Sequence, residues 1–208
     1  MRHHRATEIH FPATIQQRYR AMLAVFVTIL SLTSVGHSAP LACEKLVRPL
    51  VQLDLHDLAG RWALVSGSMK HGADNLSRRD SVTIDFYNSS YTQINNFGDE
   101  CRYHPRNFSV EGQNLKVTES TFNLTVTFFH TDCADCALFT LNLESPHYNS
   151  KDFILLSKRR QLEQKEMEEF RAQVECLNMP PPVVMDPTKD LCPEKKTSDP
   201  EDQTEKKA

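Results

Sequence analysis

The chain has 208 residues, 24 basic against 27 acidic side chains and a formal charge of −3. That balance excludes the basic stripe of a nucleic-acid surface, and the length suits one domain with its own core. The uncharged run over residues 21–38 has its apolar centre at Met22–Leu30 and is shorter than the roughly 20 apolar residues of a membrane span. Arg18, Tyr19 and Arg20 precede it and the small residues Gly36, Ser38 and Ala39 close it, so residues 1–38 are predicted to be a secretory signal peptide, with Met22 as an alternative start. The retained alternative is an uncleaved signal anchor. Without residues 1–38 there remain 20 basic and 26 acidic side chains and no integral membrane span. The expected organisation is a folded domain over 39–192 and a disordered polar tail over 193–208, where the only apolar residue is Ala208.

From residue 40 to 58 the chain is a mixed lead-in. Trp62 to Met69 alternates as a strand, with Trp62, Leu64 and Ser66 on one side and Ala63, Val65 and Gly67 on the other. Residues 70–79 form a charged loop. Val82, Ile84 and Phe86 alternate with Thr83, Asp85 and Tyr87, then Asn88-Ser89-Ser90 turns into a strand from Tyr91 to Phe97. Residues 101–110 form the next strand, in which Pro105 marks an edge, a bulge or a bend. Leu115 to Glu119 follows, then Phe122, Leu124, Val126 and Phe128 alternating with polar residues, then Phe139, Leu141 and Leu143, and finally Phe153 to Ser157. Eight short strands with turn signals every 8–12 residues indicate an all-β barrel or sandwich. The period then changes. Met167, Phe170, Val174 and Leu177 lie on one face of a predicted amphipathic helix over 161–177, which stops before Pro180-Pro181-Pro182.

Two features point to the secretory pathway. Sequons stand at Asn75, Asn88, Asn107 and Asn123, each an acceptor for an N-linked glycan there. Six cysteines, Cys43, Cys101, Cys133, Cys136, Cys176 and Cys192, form an even set that reads as three disulfides in an oxidising compartment. The sequons also serve as an internal check. With Asn107 and Asn123 facing solvent, period-2 alternation turns Phe108, Val110, Phe122, Leu124, Val126 and Phe128 inward.

The run Asp57-Leu58-Ala59-Gly60-Arg61-Trp62 resembles the Gly-x-Trp signature that opens the barrel of lipocalins. The resemblance implies an eight-stranded antiparallel up-and-down barrel with one C-terminal amphipathic α-helix, wide enough to hold a small ligand. An immunoglobulin-type sandwich lacks support, because its Cys-Trp-Cys order is missing. The resemblance also implies a floor in which Gly60 permits a tight turn, Trp62 plugs the closed end and a basic residue, Lys158 or Arg159, lies over the indole. Thr131-Asp132-Cys133 partly matches a middle lipocalin motif, Thr-Asp-Tyr. Glu168-Glu169-Phe170, Cys176-Leu177, Pro180–Val184 and Lys189-Asp190-Leu191-Cys192 are similar to the end of orosomucoid (acid glycoprotein), and the Glu-Glu-Phe…Cys-Leu spacing is also that of apolipoprotein M. Fish binders of saxitoxin and tetrodotoxin belong to the same branch. The resemblance implies the bridges Cys43–Cys176 and Cys101–Cys192, which leaves Cys133 and Cys136 for each other.

The Cys133-Ala-Asp-Cys136 spacing could also serve a redox dithiol or, with His130, a zinc site. Its place in a turn between strands favours a structural bridge, so no metal and no cofactor are expected. There is no phosphate loop, metalloprotease motif or nucleophile elbow, and the thiol-using isomerase branch of the family would need a free cysteine in the barrel, so no catalysis is expected. The candidate ligand pocket is Leu64, Ile84, Phe86, Ile94, Phe108, Leu124, Val126, Phe128, Phe139 and Leu141, some of which would fill the floor. Arg102, His104 and Arg106 share the parity of Phe108 and are candidates for an internal polar anchor, or else solvated charges. The expected function is a secreted, extracellular plasma carrier of a small lipophilic or amphiphilic ligand (a lipid, a drug-like molecule or a toxin), monomeric, with lipoprotein particles as a further partner. The alternative is an immunomodulatory, acute-phase-type glycoprotein acting through its surface and glycans.

Overall fold

The computed structural model describes residues 43–71 and 73–194. The predicted signal peptide and all of the predicted tail except Pro193 and Glu194 lie outside the described residues. The chain divides into two compact units, Met1–Lys45, of which only residues 43–45 are described, and Leu46–Ala208. The barrel belongs to the second.

The strands are β1 (Gly60–Met69), β2 (Ser81–Tyr87), β3 (Ser90–Asn96), β4 (Cys101–Asn107), β5 (Ser109–Glu111), β6 (Asn114–Thr118), β7 (Asn123–Phe129), β8 (Cys136–Glu144), β9 (Asn149–Ser157) and β10 (Val183–Val184). The helices α1 (Leu55–Leu58), α2 (Ala73–Ser77) and α3 (Gln164–Cys176) accompany them, and residues 43–46 are also helical. The first nine strands run as one antiparallel sheet in the order β4-β3-β2-β1-β9-β8-β7-β6-β5. Its two ends, β4 and β5, are consecutive pieces of chain, so the sheet curls into a nearly closed barrel.

The expected count of eight strands is corrected here. The stretch read as one strand over 101–110 is two, broken at Phe108, whose amide donates to the Ser89 carbonyl at 2.9 Å rather than to a neighbouring strand. Pro105 sits in β4, which pairs only with β3, so its missing N–H faces no partner strand. Val110, expected inside, lies in β5 and is 37% exposed. The tenth strand arises because β2 pairs with β1 only over Gly60–Ala63. Beyond that point β10 pairs with Ser66 and Gly67, the Ser66 hydroxyl donates to the Val183 carbonyl and the Met185 amide donates to the Val65 carbonyl, which satisfies backbone that β2 has left.

Register decides which side chains enter the barrel. The β1–β9 pairing slips between Leu64 and Ser66. Val65 joins the outer cluster and Ser66 bonds outward to Val183, so the expected alternation is reversed from here and Gly67 turns inward against Ile154. Outside the barrel, α3 lays Met167, Phe170 and Val174 on Val65, Leu138, Phe153 and Leu155, with the Phe170 and Phe153 rings stacked at 5.4 Å. The predicted helix face is therefore the one buried. Glu166 in the first turn accepts from the Glu163 amide at 2.7 Å, closing the helix start.

The C-terminal segment is a strap across the outer face of β2, β3 and β4. The Ser81 hydroxyl and the Asn96 amide both donate to the Asp190 carbonyl, at 2.7 and 2.8 Å, and Arg61 donates to the Cys192 carbonyl. Cys192 is disulfide-bonded to Cys101. Thr83, Asp85 and Ile94 lie buried on this face.

Candidate functional site

The floor is built around Trp62. Gly60 takes φ +96°, which an L side chain rarely adopts, and lets α1 run directly into β1. Trp62 is 4% exposed, and its indole N–H donates to the Leu58 carbonyl at 2.8 Å. Of the two basic candidates, Lys158 places its ammonium 4.8 Å from the indole centroid. Arg159 instead donates to Asp135 (2.6 and 2.8 Å) and to Glu166 (2.7 Å), tying the β7–β8 turn to α3. These bonds hold the Asp135 carboxyl below the usual carboxylate range.

Above the floor is an apolar space of about 60 Å³, lined by Ile84, Phe86, Tyr91, Gln93, Leu115, Leu124, Val126, Phe128, Phe139 and Leu141. Ile84, Phe86, Leu124, Val126, Phe128, Phe139 and Leu141 were expected there. Leu64 and Phe108 face inward but belong to the packed core, with the Phe108 ring against Phe86 and Tyr91. Ile94 is a correction. Tyr91 and Gln93 line the space, so Ile94, between Gln93 and Asn95, points to the outer face and is 1% exposed there. Leu115 was missed although Leu115-Lys-Val117 alternates, and Tyr91 and Gln93 were missed because placing Ile94 inward turns its neighbours outward by alternation.

Helix α2 closes the other end. Leu76, 1% exposed, drops into the barrel over Gly67, where a Cβ would stand 3.1 Å from Ile154 and 3.4 Å from Leu76. The wall beside it is polar. Arg79, which follows α2, donates to the Asn95 side-chain oxygen at 3.0 Å, and Gln93 donates to the same oxygen at 3.0 Å. Across from Gln93 and Asn95, β4 presents Arg102, His104 and Arg106 on the same face. Arg102 pairs with Glu100, and the Arg106 guanidinium lies 5.1 Å from the Phe122 ring centroid.

Asp152 pairs across β8 with Leu141 and so shares its inward face. One carboxylate oxygen is buried without a hydrogen-bond partner, and burial pushes the group up to about 6. Between its ordinary value and about 6 the folded protein holds a proton that the unfolded chain has released. Stability therefore falls as pH rises through that window, and the penalty is complete above about 6. Asp152→Asn is expected to stabilise at pH 8 by ~1 kcal/mol, the ~3 kcal/mol equivalent of the shift being discounted for solvent screening, with no gain at pH 4. Urea midpoints at both pH values check this, and a loss of stability at pH 8 contradicts it.

A larger concavity, about 580 Å³, lies beneath the floor, lined by Asp54, Asp57, His130, Asp135, Lys158 and other residues. It is lined by charged groups, unlike the apolar space above the floor. Cys133 and Cys136 at its edge are bonded to each other, so neither offers a thiolate to a metal or a redox partner. Cys43 and Cys176 are also disulfide-bonded, and no described cysteine is free. The sequon residues Asn75, Asn88, Asn107 and Asn123 are all exposed.

The solution structure of lipocalin 12 from rat epididymis matches with a TM-score of 0.59 and 14% identity, covering 70% of this chain and 91% of that one. A siderocalin, Ex-FABP, matches with a TM-score of 0.57 and 18% identity, covering 69% of this chain and 99% of that one. The fold is that of the lipocalins. No protein-family model matches the sequence, and no curated relative matches it. In this lipocalin-type barrel Trp62 stands at the floor, Leu76 at the opposite end, and the apolar space between them.

Proposed function

We propose that the chain is a carrier that holds a small lipophilic or amphiphilic molecule inside the barrel and catalyses nothing. The observation that carries this reading is the convergence of seven expected apolar side chains on one apolar space inside the barrel. With all described cysteines in disulfides, the thiol of an isomerase has no candidate. The space has room for a few waters but not for a ligand, whose sites commonly measure roughly 300–1,000 Å³, so binding requires the barrel to open, and Leu76, buried over Gly67, is the side chain expected to move. Leu76→Ala is expected to cost about 2–5 kcal/mol while speeding the uptake of Nile red. The measurement is dye fluorescence, on protein shown to be folded by circular dichroism. If neither parent nor variant takes up the dye or an alkyl chain, the carrier reading fails.

The finer reading is secretion after removal of residues 1–38, extracellular residence as a monomer in plasma, and membership of the orosomucoid and apolipoprotein M branch, with lipids, drugs or toxins as cargo and lipoprotein particles as a partner. Its support is the C-terminal motif from Glu168 to Cys192, the exposed sequons and the disulfides. The small volume of the closed barrel favours a second reading, an immunomodulatory glycoprotein acting through its surface and glycans. Ligand-independent binding to cells that is lost on deglycosylation would select it.

A further inference from the structure

The carrier reading leaves the concavity beneath the floor without a role. Its volume of about 580 Å³ falls in the range of small-molecule sites, roughly 300–1,000 Å³. Buried Leu53, Leu58 and Trp62 give it an apolar back. The Cys133–Cys136 bridge lines the same groove.

The turn that carries this bridge is already held without it. The Asp135 carbonyl accepts from the Ser157 hydroxyl at 3.1 Å and the Lys158 amide at 3.0 Å, and Arg159 ties the Asp135 carboxylate to Glu166. A bridge with a sequence separation of 3 also constrains the unfolded chain far less than one with a separation of 91. The bridge can therefore open while the barrel stays folded.

A disulfide offers no thiolate, but it is the electrophile that a thiolate attacks. The two sulfurs are not equivalent. Cys133 is 7% exposed, and Arg159 Nη2 donates to its sulfur at 3.4 Å. Cys136 opens β8 and is half-buried. Access and leaving group decide which sulfur is attacked, and here they agree: a thiolate in the groove reaches Cys136, and Cys133 departs with a guanidinium N–H on it. The Asp135 carboxylate, 3.3 Å from the Cys133 sulfur, opposes the departing charge but already accepts two bonds from Arg159. Of the charged side chains lining the groove, Asp54, Asp57 and Asp135 are acidic and Lys158 is basic. With Asp135 answered by Arg159, the excess is still negative and attracts an ammonium group.

We propose that the Cys133–Cys136 bridge is a thiol-exchange site whose partner, a small aminothiol, sits in the groove beneath the floor. The aminothiol releases its proton to solvent and its thiolate forms a sulfur–sulfur bond to Cys136. The Cys133–Cys136 bond breaks, and Cys133 leaves with the electron pair as a thiolate. A second aminothiol displaces Cys136, which releases the small disulfide and leaves both cysteines reduced, two electrons having passed from the thiols to the bridge. This site lies outside the barrel interior and does not depend on the carrier reading.

The test exposes the full oxidised chain to cysteamine, 2-mercaptoethanol and 3-mercaptopropionate. Each rate is divided by that reagent's rate on a small disulfide in solution, and acid-quenched samples are mapped by mass spectrometry. The expected adduct is on Cys136 with Cys133 free. It forms about tenfold faster than Cys101–Cys192 opens, because Cys192 is 4% exposed. At low salt the normalised rate of cysteamine is expected to exceed that of mercaptopropionate about tenfold, with mercaptoethanol between them and the spread shrinking as salt rises. Asp57→Asn is expected to narrow the spread. Arg159→Gln is expected to slow all three reagents and Arg159→Lys to recover part of the rate, whereas loss of a guanidinium that merely held the turn would speed them. An adduct on Cys133, a faster reaction in Arg159→Gln, or equal normalised rates for cation and anion overturns the inference. So does a bridge that opens no faster than Cys101–Cys192. None of these results bears on dye uptake by the barrel, which tests the carrier reading separately.

Discussion

Replacing Cys101 and Cys192 by serine is expected to lower stability by about 4–5 kcal/mol, because the bridge closes a loop with a sequence separation of 91 in the unfolded chain. The structural consequence is local first. Without the bridge, the strap is held by its hydrogen bonds to Ser81, Asn96, Arg61, Tyr103 and Arg160 and by ion pairs to Asp80 and Arg61. These cover a polar patch that tolerates no exposure half-way. Asp85 is buried, burial raises its pKa, and Arg61 at 3.6 Å only partly offsets this. Hydrogen exchange is therefore expected to rise over β2 and β3 before it rises over β8 and β9. A urea midpoint read by circular dichroism measures the global loss. A change under ~1 kcal/mol, with β2 and β3 still protected, would show that the strap holds without its bridge.

Trp62→Ala is expected to cost ~3–5 kcal/mol. The indole fills the floor, caps the Leu58 carbonyl and carries Lys158 over its face. Its loss leaves a void and an unsatisfied buried acceptor. Trp62→Phe keeps a ring but not the N–H, so ~1–2 kcal/mol of the penalty should remain. Lys158→Ala removes only the cation above the ring and should cost under ~1 kcal/mol. Since Trp62 is the only tryptophan, the series must be followed by circular dichroism. Equal penalties for Trp62→Ala and Lys158→Ala would mean that the floor is set by α1 and the segment around Leu50, whose amide donates to Phe128 at 2.9 Å.

The sequence by itself determined the strands whose two faces differ in polarity. In β7, Leu124, Val126 and Phe128 alternate with Asn123, Thr125 and Thr127, and one face can only be inside. It also determined α3, whose apolar side has nowhere to go but the outer sheet face, and Trp62, which the Gly60 turn places on the floor. Tertiary structure alone decided β3. There the inner face carries Tyr91, Gln93 and Asn95 while the outer face, with Ile94, is buried under a strap about 90 residues away in sequence. Hydropathy then points the wrong way, because it records burial and not the side from which burial comes. The bulge after Leu64, the tenth strand and the descent of Leu76 onto Gly67 likewise depend on partners distant in the chain. The basic face of β4 was visible as parity, but only the fold brought Arg79 to the Asn95 side chain, with no acidic partner among the described residues. Local pattern specifies an element and its faces; what covers each face is a long-range property, and the candidate site was built where the two disagree.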